Sequence, residues 1–234
     1  MSLARVALVT LQAVCNHLAC TPPNPTSQKH RYHTEELFIL QIAPLIFKIH
    51  QYLVWTCAIF ETLFYLCTLI PFPSPLPIAT STLICPLPSS HPPVHLTPLF
   101  LIGVAAVALG TYIRLDCFHT LGQLFTFDLT IHPQHTLVTR RFYAYVRHPA
   151  YTGSMLVVAG LALSHLSSGA WMTACGPLRV PGAAPLVWAA WWAWTLCVGL
   201  SRAQAEDAQM RKLFKQEWVA YAAQVPWWFF PGII

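Results

Sequence analysis

Two short polar stretches interrupt an otherwise apolar chain, and between them they hold the residues able to do chemistry. The first runs from His135 to Gly153 and contains Tyr143, Arg147, His148 and Tyr151; the second contains Arg202, Glu206 and Asp207. Aromatic faces together with carboxylates suit an organic cation, such as a sulfonium carried beside an adenine ring, whose amino and ribose groups an acid would meet. An arginine suits an acceptor carboxylate, which it clamps through two parallel hydrogen bonds. A carboxylate is already ionised at neutral pH, so alkylating it needs no general base. Positioning and exclusion of water would be the main catalytic terms.

Other chemistries lack their frameworks. No serine sits in a G-x-S-x-G elbow, and neither G-x-G-x-x-G nor G-x-x-x-x-G-K-[ST] occurs, so the usual nucleotide loops are missing. A metal set drawn from His135, His148 and Glu206 has none of the helical spacing that makes such a site specific, so no metal is expected. His91 and His95 lie among prolines and read as loop histidines. The eight cysteines include no C-x-x-C pair and read as neither zinc nor redox motif; Cys57, Cys67 and Cys197 lie in apolar runs and read as small buried hydrophobes.

The elements that must position the two stretches follow from composition. Of 234 residues, 56% are apolar and 9% charged, against about 25% charged in soluble domains. Lipid is the solvent that fits. The net charge of +5 contains no basic block of the kind that grips nucleic acid, so nucleic acid is not an expected partner. The fold class predicted is all-α, a polytopic transmembrane helical protein with about five spans and a C-terminal amphipathic helix. The spans fall at about 2–20, 49–70, 99–116, 151–172 and 184–201, with the helix over 202–225 and Pro226 as its stop. Residues 2–20 also allow a signal-peptide reading, with Arg5 as its basic end. Residues 37–47 read as an interfacial lead-in. Residues 71–98 hold nine prolines and read as an irregular loop. Gly103 and Gly110 give the third span a small-residue face for close packing. Glu61, inside the second span, is a functional candidate by position; a hydrogen bond to a neighbouring helix is its structural alternative. The tryptophans at 188, 191, 192 and 194 read as an interfacial belt.

Basic residues orient the spans. With five of them, loops 21–48 and 114–150 and the tail 201–234 share one side and hold eleven of the thirteen Lys and Arg. That places both polar stretches on the cytosolic face, where they can meet.

The motifs His135-Thr-Leu-Val-Thr, Tyr143 and Arg147-His148-Pro149-Ala150-Tyr151-x-Gly153 resemble the signature of the isoprenylcysteine carboxyl methyltransferases. Arg202-x-x-x-Glu206-Asp207 and Phe214-x-x-Glu217-Trp218-x-x-Tyr221-x-x-x-Val225-Pro226 resemble that family's C-terminal ending. The resemblance covers about 115–234. It implies an N-terminal transmembrane region over 1–114 and a methyltransferase core over 115–234, with a cofactor loop at 117–150. It further implies a multi-pass enzyme of the endoplasmic reticulum membrane that uses S-adenosyl-L-methionine to methylate the C-terminal carboxylate of prenylated cysteine, with membrane lipids around the prenyl chain. By that resemblance His135, Thr136, Leu137, Val138, Tyr143, His148, Pro149, Ala150, Tyr151 and Glu206 would hold the cofactor. Arg202 would take the substrate carboxylate, and Arg202 with Glu206 would form the catalytic pair. The Arg-His-Pro-x-Tyr-x-Gly loop alone would also serve a relative acting on a phospholipid amine, and Arg141 would suit a non-catalytic relative that retains the fold.

Four positions depart from the family pattern. Arg141 and Lys215 stand where it has glycine, Asp207 where it has glutamate and Trp218 where it has tyrosine. A glycine at 141 suits a tight backbone turn that an arginine does not adopt cheaply.

Overall fold

The computed structural model describes residues 1–25, 32, 41–69, 85, 94–131 and 133–233. Among them it is all-helical: α1 (Leu3–Ala19), α2 (Ala43–Leu69), α3 (Pro98–Leu121), α4 (Pro149–His165), a single turn α5 (Trp171–Ala174), α6 (Ala183–Phe214) and α7 (Gln216–Gln224). Three helices are long and apolar enough to cross a membrane, over 43–69, 98–124 and 183–214. α1 and α4 have 17 residues each, about 25 Å at 1.5 Å per residue, so length alone does not make them spans.

Boundaries moved for local reasons. α2 begins at Ala43 rather than at 49, because Pro44 stands in its first turn, where a missing N–H costs nothing. Residues 202–225 are not a separate amphipathic helix. Ser201-Arg202-Ala203-Gln204-Ala205 contains no breaker, so α6 runs through the expected boundary as one helix of 32 residues. The chain breaks instead at Lys215, whose φ is 50°. A left-handed lysine is strained, and the exposed side chain makes no hydrogen bond or ion pair among the described residues. Lys215→Gly is therefore expected to stabilise the protein by about 0.5–1 kcal/mol, after allowing for glycine's greater freedom when unfolded. Thermal unfolding of the two proteins in one detergent checks this.

The described chain forms two compact units. The first comprises Met1–His17, Ile49–Ala108 and Val157–Trp192. Here α1 turns Arg5, Gln12 and Asn16 inward and leaves Leu3, Leu11 and Leu18 outside. Polar groups in and leucines out is the arrangement lipid demands. Arg5 Nε and Nη2 donate to Glu61 at 2.8 and 2.9 Å, the Trp171 N–H adds a bond to Glu61 at 3.3 Å, and the guanidinium lies 4.3 Å from the Phe100 ring centre. Glu61 is thus the anchor of an ion pair rather than a lone acid. Gly103 meets Gly160 so closely that a Cβ on either would sit 2.5 Å from the other's carbonyl oxygen. Cys85 and Cys175 form a disulfide, a pairing that 90 residues of separation hide from sequence. Cys57 is buried as expected, whereas Cys67 is half-buried and Cys197 exposed.

The second unit comprises Leu18–Lys48, Leu109–Leu156 and Ala193–Ile234, and it contains both polar stretches. Gly153, the last residue of the loop motif, lies against α3: a Cβ there would meet the Gly110 carbonyl at 2.7 Å. The small-residue face expected of α3 is thereby used at both of its glycines. Of the proline-rich stretch 71–98 and the lead-in 37–47, residues 71–84, 86–93 and 37–40 lie outside the described residues, His91 among them.

Candidate active site

α3 supplies the wall on which the site is built. Its buried Arg114 donates from Nε to the Ala19 carbonyl at 2.7 Å and from Nη1 to the Ala150 carbonyl at 3.1 Å. Phe47, Phe118 and Phe127 lie within 5.5 Å of the guanidinium carbon. This arginine ties the end of α1 to the first turn of α4, and so fixes where the loop motif enters its helix.

The loop descends onto that wall from His135. Its ring lies 6.1 Å from the Phe214 ring. Leu137 packs on Trp218, Tyr221 and Val225 of the C-terminal segment, while Val138 packs on the cluster of Ile113, Cys117, Phe118 and Tyr143. Thr136 is exposed, and the backbone of 136–138 is irregular and makes no hydrogen bond to other described backbone. A short 3₁₀ turn, Arg141–Ala144, follows. Tyr143 is buried in it, and its carbonyl accepts from the Tyr221 hydroxyl at 2.8 Å. Burial raises the Tyr143 phenol well above its ordinary pKa, so it stays protonated. Pro149, fully buried, opens α4.

The two stretches then meet. His148 is clasped on both ring nitrogens, Nδ1 at 3.2 Å from Glu206 and Nε2 at 2.8 Å from Asp207. The Tyr151 hydroxyl donates to the other oxygen of Glu206, and Arg147 pairs with Asp207 at 3.4 Å. Arg202, one turn before Glu206 on α6, is buried and donates to the Phe127 carbonyl. Its charge also acts on the Tyr151 phenol. Every residue singled out from sequence, His135, Thr136, Leu137, Val138, Tyr143, His148, Pro149, Ala150, Tyr151, Arg202 and Glu206, lies in this unit. Glu206 gathers two of them directly.

Burial alone would push the His148 imidazole down. The two carboxylates on its nitrogens outweigh that and raise its pKa to about 9, so the ring is an imidazolium at neutral pH. The raised value fixes the sign of the linkage. Stability from this clasp is complete below the unfolded pKa near 6.5 and is lost as pH rises through about 9. Between pH 6 and pH 10 the wild type should lose about 3 kcal/mol more than His148→Gln, as measured by denaturation at each pH.

Sequence reasoning missed part of the site. Asp207 was counted in the inventory but not assigned a role, yet it takes the shorter bond to His148. The segment after Pro226 was read only as a stop. It instead docks on the loop: the amides of Arg147 and His148 donate to the carbonyls of Trp227 and Trp228, both at 2.9 Å, and the Thr152 hydroxyl donates to the Phe229 carbonyl at 2.6 Å. The signal was present in Trp227-Trp228-Phe229-Phe230, four aromatics that a mere terminus has no need of. Asp116, a partner of Arg141, passed as the polar end of an apolar run.

Fold and site together define an all-helical protein of membrane-spanning composition, with a cluster of arginine, histidine, tyrosine and acid clasped across one loop and one helix. Residues 101–180 match the isoprenylcysteine carboxyl methyltransferase (ICMT) family, which bears out the resemblance read from the motifs. Over 126 residues, 53% of this chain, the sequence is 27% identical to protein-S-isoprenylcysteine O-methyltransferase B of Arabidopsis thaliana, covering 55% of that protein. It is likewise 27% identical over 126 residues to a probable protein-S-isoprenylcysteine O-methyltransferase of Oryza sativa subsp. indica, covering 57% of it. The chain spans about half the length of the curated relatives it matches. No solved structure matches. The family match ends before Arg202 and Glu206, so their place beside His148 and Tyr151 is a separate observation.

The two departures at glycine positions are answered directly. Arg141 has a φ of 61° and Lys215 of 50°. Both cations stand in the left-handed backbone that a glycine would take without strain.

Proposed function

We propose that the chain is an S-adenosyl-L-methionine-dependent methyltransferase that esterifies the C-terminal carboxylate of prenylated cysteine in CaaX-processed proteins. On this reading residues 115–234 are the methyltransferase core, and the enzyme lies in the endoplasmic reticulum membrane with its site toward the cytosol. One observation carries the reading. Arg202 and Glu206, one turn apart on α6, stand with Tyr151 and His148 of the loop motif, which brings an anion receptor beside an acid and an aromatic ring.

The residues fit such a cofactor by their chemistry. Thr136–Val138 offer backbone groups unused by other described backbone, Leu137 and Val138 offer apolar sides, and Glu206 offers a carboxylate. S-adenosylmethionine supplies an electrophilic methyl on a sulfonium. The chain supplies the rest. His135, Thr136, Leu137, Val138, Tyr143, His148, Pro149, Ala150, Tyr151 and Glu206 are assigned to holding the cofactor. Arg202 holds the acceptor carboxylate, and a bidentate clamp takes one lone pair of each oxygen and leaves the other to react. No residue has to remove a proton. Phe229 and Trp228 beside His148 favour exclusion of water. The prenyl chain stays in lipid, so only the polar end of the substrate needs to reach the site.

Transfer of labelled methyl from S-adenosylmethionine to farnesyl-cysteine in detergent tests the reading. Base-labile label in the product is expected of an ester. Label that survives base, or transfer to phospholipid amine instead, would replace it.

A further inference from the structure

Three consecutive residues pin the loop turn to α3. Arg141 donates from Nε to Asp116 Oδ1 at 3.0 Å, and its Nη2 shares that oxygen. The Phe142 ring meets Tyr112 edge-on at 5.9 Å. Tyr143 is buried against Ile113, Cys117 and Phe118. Tyr112 and Asp116 are one helical turn apart and so present one face to the turn. The Asp116 side chain is 6% exposed and Arg141 58%. Among the described residues Arg141 is the only polar partner of that carboxylate, whose second oxygen is buried without a hydrogen bond. Arg141 also carries the left-handed φ of the turn.

Each half of the pair therefore answers a difficulty posed by the other. The buried carboxylate needs a cation, and the left-handed arginine needs a tether. We propose that Asp116 is a positioning residue for the loop His135–Gly153: acting through Arg141, it holds by charge the backbone turn that a glycine would adopt by lacking a Cβ. The inference rests on the cofactor-loop reading for its catalytic consequence but not for its structural one.

A mutant cycle tests it. Asp116→Asn leaves a strained arginine untethered, and Arg141→Gly leaves a buried carboxylate without its cation, so each alone is expected to raise the KM for S-adenosylmethionine about tenfold while kcat holds. The double variant removes both difficulties at once and is expected to return to within about threefold of wild type. Asp116→Glu, which keeps the charge, should recover much of the loss of Asp116→Asn. A double variant as impaired as the two singles multiplied together, or an Asp116→Asn enzyme with unchanged KM, would overturn the proposal. Melting temperatures of the four proteins are read in parallel. If the wild type transfers no methyl, the function proposed above fails. The clamp then stands or falls on whether the double variant melts above both singles or below them.

Discussion

Arg202→Ala is expected to lower methyl transfer to a farnesyl-cysteine carboxylate by about two to three orders of magnitude, the scale seen when one preorganised charge-stabilising donor is lost. The loss should exceed any loss of S-adenosylmethionine binding, because on the proposed reading the guanidinium serves the acceptor. Arg202 is also buried and holds the Phe127 carbonyl, so the alanine variant has a structural effect that must be separated. Arg202→Lys does this. It keeps the charge and one donor while losing the fork that matches a carboxylate. A folded lysine variant with cofactor affinity near wild type and a strongly reduced rate on the carboxylate substrate is the expected result. Full activity in Arg202→Lys would remove the bidentate clamp from the mechanism, and full activity in Arg202→Ala would remove the carboxylate assignment altogether.

The second large effect concerns stability rather than chemistry. Arg5 and Glu61 are 1% and 0% exposed in their side chains and share two hydrogen bonds. Neutralising one partner strands the other charge where water does not reach it. Glu61→Gln is accordingly expected to cost about 3–5 kcal/mol, a drop in melting temperature of about 10 °C for a chain of this size. Replacing both partners together, as in Arg5→Met with Glu61→Met, should recover most of that loss, because two apolar chains need no counter-charge. Thermal unfolding of the three proteins in one detergent measures both terms. A single variant melting with the wild type would show that the charge on Glu61 is not what holds Arg5.

The sequence made the site legible for a physical reason: polar residues are costly in a chain this apolar, so the few present in 135–153 and 202–207 stand out and their roles are constrained. The resemblance then put them in order, and the basic-residue count put them on one side. The contacts that hold the site were far less visible. Asp116 and Arg141 are 25 residues apart, and nothing in Leu115-Asp116-Cys117 says which face of α3 meets the turn. Arg5 and Glu61 are separated by 56 residues and each has a solitary reading, the basic end of a signal peptide for one and a hydrogen-bonded acid for the other. Only their shared burial joins them. The end of the last span was misread because a change from apolar to charged residues looks like a boundary, yet helix geometry is indifferent to that change so long as no proline intervenes, and the lone Gly199 does not break the helix. Position 141 is the opposite case, where a departure from pattern foretold a strained backbone and the left-handed φ is there.

The unbroken α6 has a mechanical consequence. Its 32 residues make a rod about 48 Å long, while the hydrocarbon of a bilayer takes up about 30 Å. With its apolar part in lipid, the rod's charged end projects into the headgroup layer, and there is no joint between the two parts. Arg202 and the pair Glu206 and Asp207 therefore keep a fixed spacing of about one turn along the rod and move as a single lever. A thinner or thicker bilayer, which such a rod meets by tilting, would carry all three together, and lipid thickness becomes a variable that the acidic and basic end of the rod registers directly.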